Sequence, residues 1–255
     1  MLLCVDIGNT NIKLGLYEGE AMRAHWRIQT DRLAMPDEYA VLLTSLLAGS
    51  GFTLGDIDGC AVSSVVPSLT EAFGELCSNT LRVEPVILSA ETDTGMAIRT
   101  DYPAEVGPDL IVNALAGRHL YGTPLIVIGF GTATTFGAVS RAGDFEGVAI
   151  APGIIASGEA LFRSTATLPR VALSRPPEAI GKNTIRSLQA GLVFGFAGMV
   201  EKLVERIQGE LGGGAKVIAT GGLAGLIAPE TGVIDAVEPH LALTGLRLLY
   251  ERLNP

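Results

Sequence analysis

Apolar residues follow two rhythms along this chain, and each change of rhythm marks an element. LLCVDIGN and IKLGLYE, within residues 2–18, are apolar runs split by a polar turn, which predicts a β-hairpin. AHWRIQT, residues 24–30, predicts a third strand. Pro36 opens a helix over DEYAVLLTSLL, with acids in its first turn and the glycine-rich stretch 49–51 ending it. CAVSSVV reads as a strand. Ser68 to Glu71 (SLTE) reads as a capping box leading a helix through Leu81. PVIL reads as a short strand and PDLIVNALAGRHL as a helix.

The pattern then restarts. PLIVIGFG and FGAVS predict strands around a turn, followed by GVAIAPG; GEALFRSTATL predicts a helix. Residues 183–207 predict a long helix with Gly191, Gly195 and Gly198 on one side. Those glycines suggest close packing of helices, and the charges in the stretch argue against a membrane span. KVIATGG is a strand entering a turn, and HLALTGLRLLYERL a final amphipathic helix. The chain thus divides into two α/β halves, residues 1–115 and 116–255, each opening with a hairpin around a Gly/Thr turn. The second hairpin lies about 123 residues after the first. With no linker composition between the halves, the expectation is two closely coupled domains with a cleft between them.

Composition narrows the class. Of 255 residues, 48% are hydrophobic and 18% charged, enough for a sizeable core. No apolar run reaches the ~18 to 20 residues of a bilayer span, and MLLCVDIGN lacks a basic leader, so a cytoplasmic protein is expected. Cys4, Cys60 and Cys77 sit in or beside apolar segments without metal spacing and read as reduced core residues. The formal charge of −9, with no long Lys/Arg cluster, argues against a nucleic-acid partner. An acidic protein that binds ATP must offset the phosphates with backbone N–H groups, helix dipoles and Mg²⁺.

Three glycine turns carry the candidate chemistry. In DIGNTNIKLG, Asp6 closes an apolar strand and Gly8 allows backbone to approach a ligand. Asn9, Thr10 and Asn11 offer side-chain donors, and Lys13 adds charge. Such a turn can hold a triphosphate while Asp6 positions Mg²⁺ or its waters, although an ordinary hairpin turn has the same composition. GFGTATT supplies backbone N–H groups and Thr132, Thr134 and Thr135. IATGGLAG, with Gly221 and Gly222, ends a strand and opens a helix, which suits a nucleotide. In DYPAEVGPDL, Asp109 stands at a helix start, either as the base for a substrate hydroxyl or as a complement to the helix dipole. His25, His119 and His240 are scattered and lack ligand spacing.

These stretches resemble the type III pantothenate kinases, of the acetate-kinase, sugar-kinase, Hsp70 and actin superfamily. The resemblance is carried by DIGNTNIKLG, TDRLAMPDEYA, SSVVPSLT, YPAEVGPDL, FGTATTF, AIAPG, ALFRSTATLP, GKNT, ATGGLA and EPHLALTGL, in order from residue 6 to residue 246. It implies two actin-like, ribonuclease H-like α/β domains with a nucleotide cleft. It also implies ATP-dependent phosphorylation of pantothenate, the first step towards coenzyme A, by a homodimer using Mg²⁺ and K⁺ or NH₄⁺. By position, Asp6 to Lys13 resemble the ATP phosphate loop and Thr132 a further ATP contact. Tyr102, Gly107, Pro108, Asp109, Leu110 and Thr184 resemble the pantothenate site, with Asp109 the catalytic base. The family also includes Bvg accessory factors, described as affecting transcription.

Four positions depart from the family's pattern. Gly129 stands where an Asp helps to bind the monovalent cation, and Leu110 where an Arg follows the catalytic Asp. Gly137 replaces an Asp after TATTF, and Val148 the second glycine of a pair. Leu110 cannot give a carboxylate the forked hydrogen bonds of Arg, and Val148 would be strained in a turn that needs positive φ. Three readings follow: a pantothenate kinase with altered cation dependence; a degenerate homologue that binds nucleotide or a small acid, or regulates; and a kinase for a related hydroxylated substrate without the carboxylate.

Overall fold

The computed structural model describes residues 1–254 and resolves into two compact units. The first comprises residues 1–96, 101–116 and 241 onward; the second comprises 97–100 and 117–240.

In the first unit, β1 (Leu2–Ile7), β2 (Asn11–Glu18), β3 (Ala21–Gln29), β4 (Gly59–Ser64) and β5 (Pro85–Ile87) form one sheet in the order β3-β2-β1-β4-β5. The hairpin pairs β1–β2 and β2–β3 are antiparallel, whereas β1–β4 and β4–β5 are parallel. Central β1 is almost wholly buried, as its near-continuous apolar run, interrupted only by Asp6, requires. Edge strand β3 alternates exposed and half-buried positions. The covering helices are α1 (Pro36–Gly49), α2 (Pro67–Glu75) and α3 (Pro108–Tyr121), whose last residues enter the second unit. At the start of α1 the Glu38 carboxylate accepts the Met35 amide N–H at 2.8 Å, and Gly51 takes φ +82° after its end, in keeping with the stop that the sequence predicts.

The second unit repeats this plan. Strands β6 (Leu125–Phe130), β7 (Ala133–Val139), β8 (Phe145–Pro152), β9 (Lys216–Gly221) and β10 (Ala236–Val237) are ordered β10-β9-β6-β7-β8. Again β6–β7 and β7–β8 are antiparallel while β6–β9 and β9–β10 are parallel. Helices α4 (Ile154–Ser164), α5 (Thr184–Glu210) and α6 (Ala224–Ile227) belong to it. The family-level expectation of two mixed α/β units therefore holds.

Several expectations need correcting. The helix expected from Ser68 begins at Pro67 with Val66 as its cap, so Ser68 lies inside the first turn; Pro has no N–H to lose there. The expected end at Leu81 holds, but the last stretch is wider: α2 continues without a break into a π-helical segment over residues 76–81, ended by Arg82 at φ +59°. The fourth helix spans 154–164 rather than 158–168. Strand β10 and helix α6, two and four residues long, are too short to carry a periodic signal.

The final helix, α7 (Leu241–Leu253), packs with the first unit, whereas a division at residue 115 assigns it to the second half. Three glycines make that packing close. A Cβ at Gly15 would touch Leu243, one at Gly59 would lie 2.3 Å from the Tyr250 hydroxyl, and one at Gly245 would lie 2.0 Å from the Val112 carbonyl oxygen of α3. The glycines of α5 are the opposite case. Positions 191, 195 and 198 face open space, not a close helix neighbour. Among the described residues α5 is the one helix long and apolar enough to cross a membrane by length and composition. Its Leu192, Val193, Ala197, Val200 and Val204 are buried in the second unit's core.

These contrasts give substitutions of opposite sign. Gly245→Ala pushes a methyl into backbone that cannot rotate away, so a loss of about 3 kcal/mol or more in denaturant unfolding is expected. Gly191→Ala adds a methyl to open space on a helix and is expected to stabilise by up to ~1 kcal/mol.

Candidate functional site

The first cluster is built on the β1–β2 hairpin. Asp6 lies on β1 opposite Lys13 of β2 and Ser63 of β4, so all three side chains leave the same face of the sheet. Lys13 Nζ donates to Asp6 Oδ2 at 3.2 Å, and Asp6 is only 6% exposed. Ser63 is fully buried and its hydroxyl has no partner. The turn of Gly8, Asn9 and Thr10 is closed by the Gly8 N–H donating to the Asn11 carbonyl at 3.0 Å.

Asp109 comes to this cluster from the first turn of α3. Burial raises the pKa of its carboxyl most, followed by the nearby Asp6 carboxylate; the backbone N–H groups of Leu110 and of Asp109 itself at the helix start, and the Lys13 charge, oppose them. The net result is a carboxyl held above the ordinary aspartate value. Pro108 occupies the first helical position, where its missing N–H costs nothing. Gly107 leaves room for the carboxylate: a Cβ there would sit 2.6 Å from Asp109 Oδ1, so a larger residue would displace it. Leu110 is half-buried, and its N–H donates to the Gly107 carbonyl at 3.0 Å. Tyr102 is 69% exposed beside a short turn at Pro103–Glu105.

The second cluster belongs to the other unit. Between β6 and β7, the Gly131 N–H donates to the Ala133 carbonyl at 3.0 Å, leaving Thr132 exposed at the tip. A Cβ at Gly153 would lie 2.2 Å from the Thr132 carbonyl oxygen, so only glycine allows that approach. Thr134 is turned inward, donating to the Pro152 carbonyl at 3.3 Å. Gly221, at φ +99°, lies where a Cβ would meet the Phe130 carbonyl oxygen at 2.3 Å; Gly222 follows, exposed. Thr184 is exposed at the start of α5, capped by Asn183, whose Oδ1 accepts the Arg186 N–H at 2.9 Å.

Gly129 is the counterpart of Asp6 in the repeated plan. It stands opposite Thr135 of β7 and Thr220 of β9, just as Asp6 stands opposite Lys13 and Ser63. A Cβ at Gly129 would lie 2.6 Å from Thr135 Oγ1, so a hydroxyl fills that space. Thr220 Oγ1 is buried without a partner. Gly137 and Val148 stand directly opposite each other on β7 and β8. Val148 lies within β8 without positive φ, so the backbone strain expected of a valine here is absent; the positive φ, +151°, falls on Gly147.

Sequence reasoning assigns no role to Thr30 or Arg32. Thr30 Oγ1 donates to the Gly8 carbonyl and Arg32 Nη2 to Asn9 Oδ1, both at 2.7 Å. The only signal is TDRLAMPDEYA, which marks the family without revealing that its first residues fold back onto the hairpin turn.

A family model described as type III pantothenate kinase matches residues 2–206. Proteins named type III pantothenate kinase from Roseiflexus sp. (strain RS-1) and Moorella thermoacetica are 54% and 50% identical to this chain. The first match covers 98% of both chains and the second 99% of both. Among solved structures, component A of (R)-2-hydroxyglutaryl-CoA dehydratase from Acidaminococcus fermentans superposes with a TM-score of 0.57. It is 14% identical, over 100% of this chain and 99% of that one, and so bears on the fold alone. With the family model matching residues 2–206 and full-length relatives at 50% identity or more, this chain belongs to the type III pantothenate kinase family.

Proposed function

We propose that this protein transfers the γ-phosphoryl group of ATP to the primary hydroxyl of pantothenate, releasing ADP and 4'-phosphopantothenate. The observation that carries the reading is the half-buried Asp109 carboxylate near Asp6 and Lys13, with its affinity for a proton raised. A base must take the hydroxyl proton as oxygen attacks phosphorus, and a raised carboxyl does so better than an ordinary one. The new bond joins the pantothenate oxygen to the γ-phosphorus, the bond to the β,γ-bridging oxygen breaks, and Asp109 holds the proton. Retention of this carboxylate pair favours a kinase over a homologue that only binds ligand.

In this reading Asp6, Gly8, Asn9, Thr10, Asn11 and Lys13 form the phosphate loop, and Thr132, Gly221 and Gly222 contribute further nucleotide contacts. Tyr102, Gly107, Pro108, Leu110 and Thr184 form the pantothenate site. Leu110 offers the substrate carboxylate an apolar surface instead of a guanidinium, and the loss of one charge-assisted hydrogen bond weakens binding by roughly 10- to 150-fold. The homodimer and the cytoplasmic setting are inferred from family resemblance.

Among the described residues no group of three His, Cys, Asp or Glu could hold a metal ion. Mg²⁺ needs no such group: it keeps several waters and is bound by one or two carboxylates with substrate phosphates. Asp6 is the residue that would hold it, and the ion would supply positive charge to the phosphates. A monovalent cation fits less well: the position of Gly129 presents neutral hydroxyls from Thr135 and Thr220 and no carboxylate.

Asp109→Asn is expected to reduce ADP release at least about 100-fold; near-normal turnover would remove Asp109 as the base. The same substitution should act on stability with the opposite sign. The folded carboxyl binds its proton more tightly than the unfolded one, so stability falls as pH rises through the folded value. The Asn variant should therefore melt above the parent at about pH 7, with the advantage fading near pH 4. K⁺ should activate the parent only weakly. Strong activation would mean that threonine hydroxyls or carbonyls replace the missing carboxylate. Gly129→Asp should confer K⁺ dependence once Thr135 rotates its hydroxyl out of the new Cβ position.

A further inference from the structure

The segment just after β3 is laced to the hairpin turn at each of the turn's residues, Gly8, Asn9 and Thr10. Thr30 Oγ1 donates to the Gly8 carbonyl at 2.7 Å, the Thr30 N–H to the Thr10 carbonyl at 3.0 Å, and Arg32 Nη2 to Asn9 Oδ1 at 2.7 Å. The segment is itself tied down. The buried Tyr39 of α1 donates its hydroxyl to the Asp31 carbonyl at 2.9 Å, and Asp31 Oδ1 accepts the Leu33 N–H at 3.0 Å. That last bond turns the Asp31 carboxylate into its own loop.

Arg32 consequently has no carboxylate partner among the described residues, although its neighbour is an aspartate. Seven of the fourteen arginines, Arg99, Arg175, Arg247 and Arg252 among them, are ion-paired, and Arg32 is not one of them. In a chain of net charge −9, an exposed guanidinium is instead held against a neutral carboxamide at the turn tip. Asn9 accepts one N–H of a fork that carries five donors, so the remainder faces solvent beside the turn's backbone. A planar fork of this kind matches two oxygens of a phosphate at once.

We propose that Arg32 is a binding residue for the phosphate chain of the nucleoside triphosphate. Asn9 holds its guanidinium at the turn, and Thr30 with Tyr39 fixes the segment that carries it. The inference rests on the kinase reading for the identity of the triphosphate, but not for the existence of an anion site. Lys13 is committed to Asp6 in the resting protein. Arg32 supplies the positive charge that the turn itself lacks.

The test is calorimetric titration of the full chain with ATP–Mg²⁺, tripolyphosphate–Mg²⁺ and adenosine, for the parent, Arg32→Ala and Arg32→Lys. Arg32→Ala is expected to weaken both phosphate ligands roughly tenfold or more and to leave adenosine unchanged. Arg32→Lys should recover part of the loss, since charge remains without the fork. The salt dependence of tripolyphosphate binding should flatten in Arg32→Ala alone. Thermal unfolding should be unchanged in both variants, because the side chain is exposed. Unaltered tripolyphosphate affinity in Arg32→Ala would overturn the proposal. So would equal losses in Ala and Lys with an unchanged salt response, which would make Arg32 a brace for Asn9 only. Tripolyphosphate binding that depends on Arg32, without ATP turnover on pantothenate, would sink the kinase reading while leaving the anion site standing.

Discussion

Two carboxylates placed near one another, with a single ammonium to offset them, set the terms for the first unit. Asp6 and Asp109 repel, and burial denies them the water that would screen the repulsion. Lys13 relieves Asp6, while two helical N–H groups relieve Asp109. The relief is incomplete, and the remainder is the raised proton affinity of Asp109. A site optimised for stability alone would discard one carboxylate. Placing both here costs stability, which the rest of the fold must offset.

That arrangement depends on strand register. Asp6, Lys13 and Ser63 share a face only because β1 pairs antiparallel with β2 and parallel with β4 at those residues; a one-residue slip would send Asp6 to the other face. Register is protected by the buried run Leu3, Val5 and Ile7 with Ile12, Leu14 and Leu16 opposite. Asp109 depends on a different constraint, the absence of a side chain at Gly107, which leaves room for its carboxylate oxygen. The electrostatics therefore rest on two steric conditions, one in the core and one at a helix start.

Much of this is legible in the order of residues alone. The hairpins, the restart of the pattern and the glycine turns are local features with periodic or compositional signals, and the strands around Asp6 and Gly129 fall where those signals put them. What escapes is non-local. That α7 joins the first unit is decided by Gly15, Gly59 and Gly245 meeting residues far away in sequence, and no boundary drawn along the chain can express it. The start of the helix after Val66 is ambiguous locally, because SLTE matches a capping box while Pro67 is equally at home at the first helical position. Gly191, Gly195 and Gly198 have the spacing of a packing stripe, yet a spacing does not say whether anything lies opposite. For the candidate site, the turn residues are visible but their braces are not. Thr30 and Arg32 lie more than twenty residues from the atoms they hold.

The repeated plan shows how one scaffold can carry two kinds of turn. Both units place a strand-end residue between two neighbours on the same face: Asp6 between Lys13 and Ser63, Gly129 between Thr135 and Thr220. In the first the set is charged, with a carboxylate, an ammonium and a hydroxyl. In the second it is neutral, a glycine between two hydroxyls, with Thr135 Oγ1 occupying the space a side chain would need. The strand pairing is the same, so the difference lies in the side chains. A neutral set adds no charge to phosphate, and it avoids the repulsion that a further carboxylate would bring. Gly137 follows the same logic of compensation: it stands opposite Val148, and the Phe145 ring of β8 lies 3.2 Å from where its Cβ would be, taking the space a side chain would need. Departures filled from within the sheet in this way leave the strand pairing on either side of the turns intact.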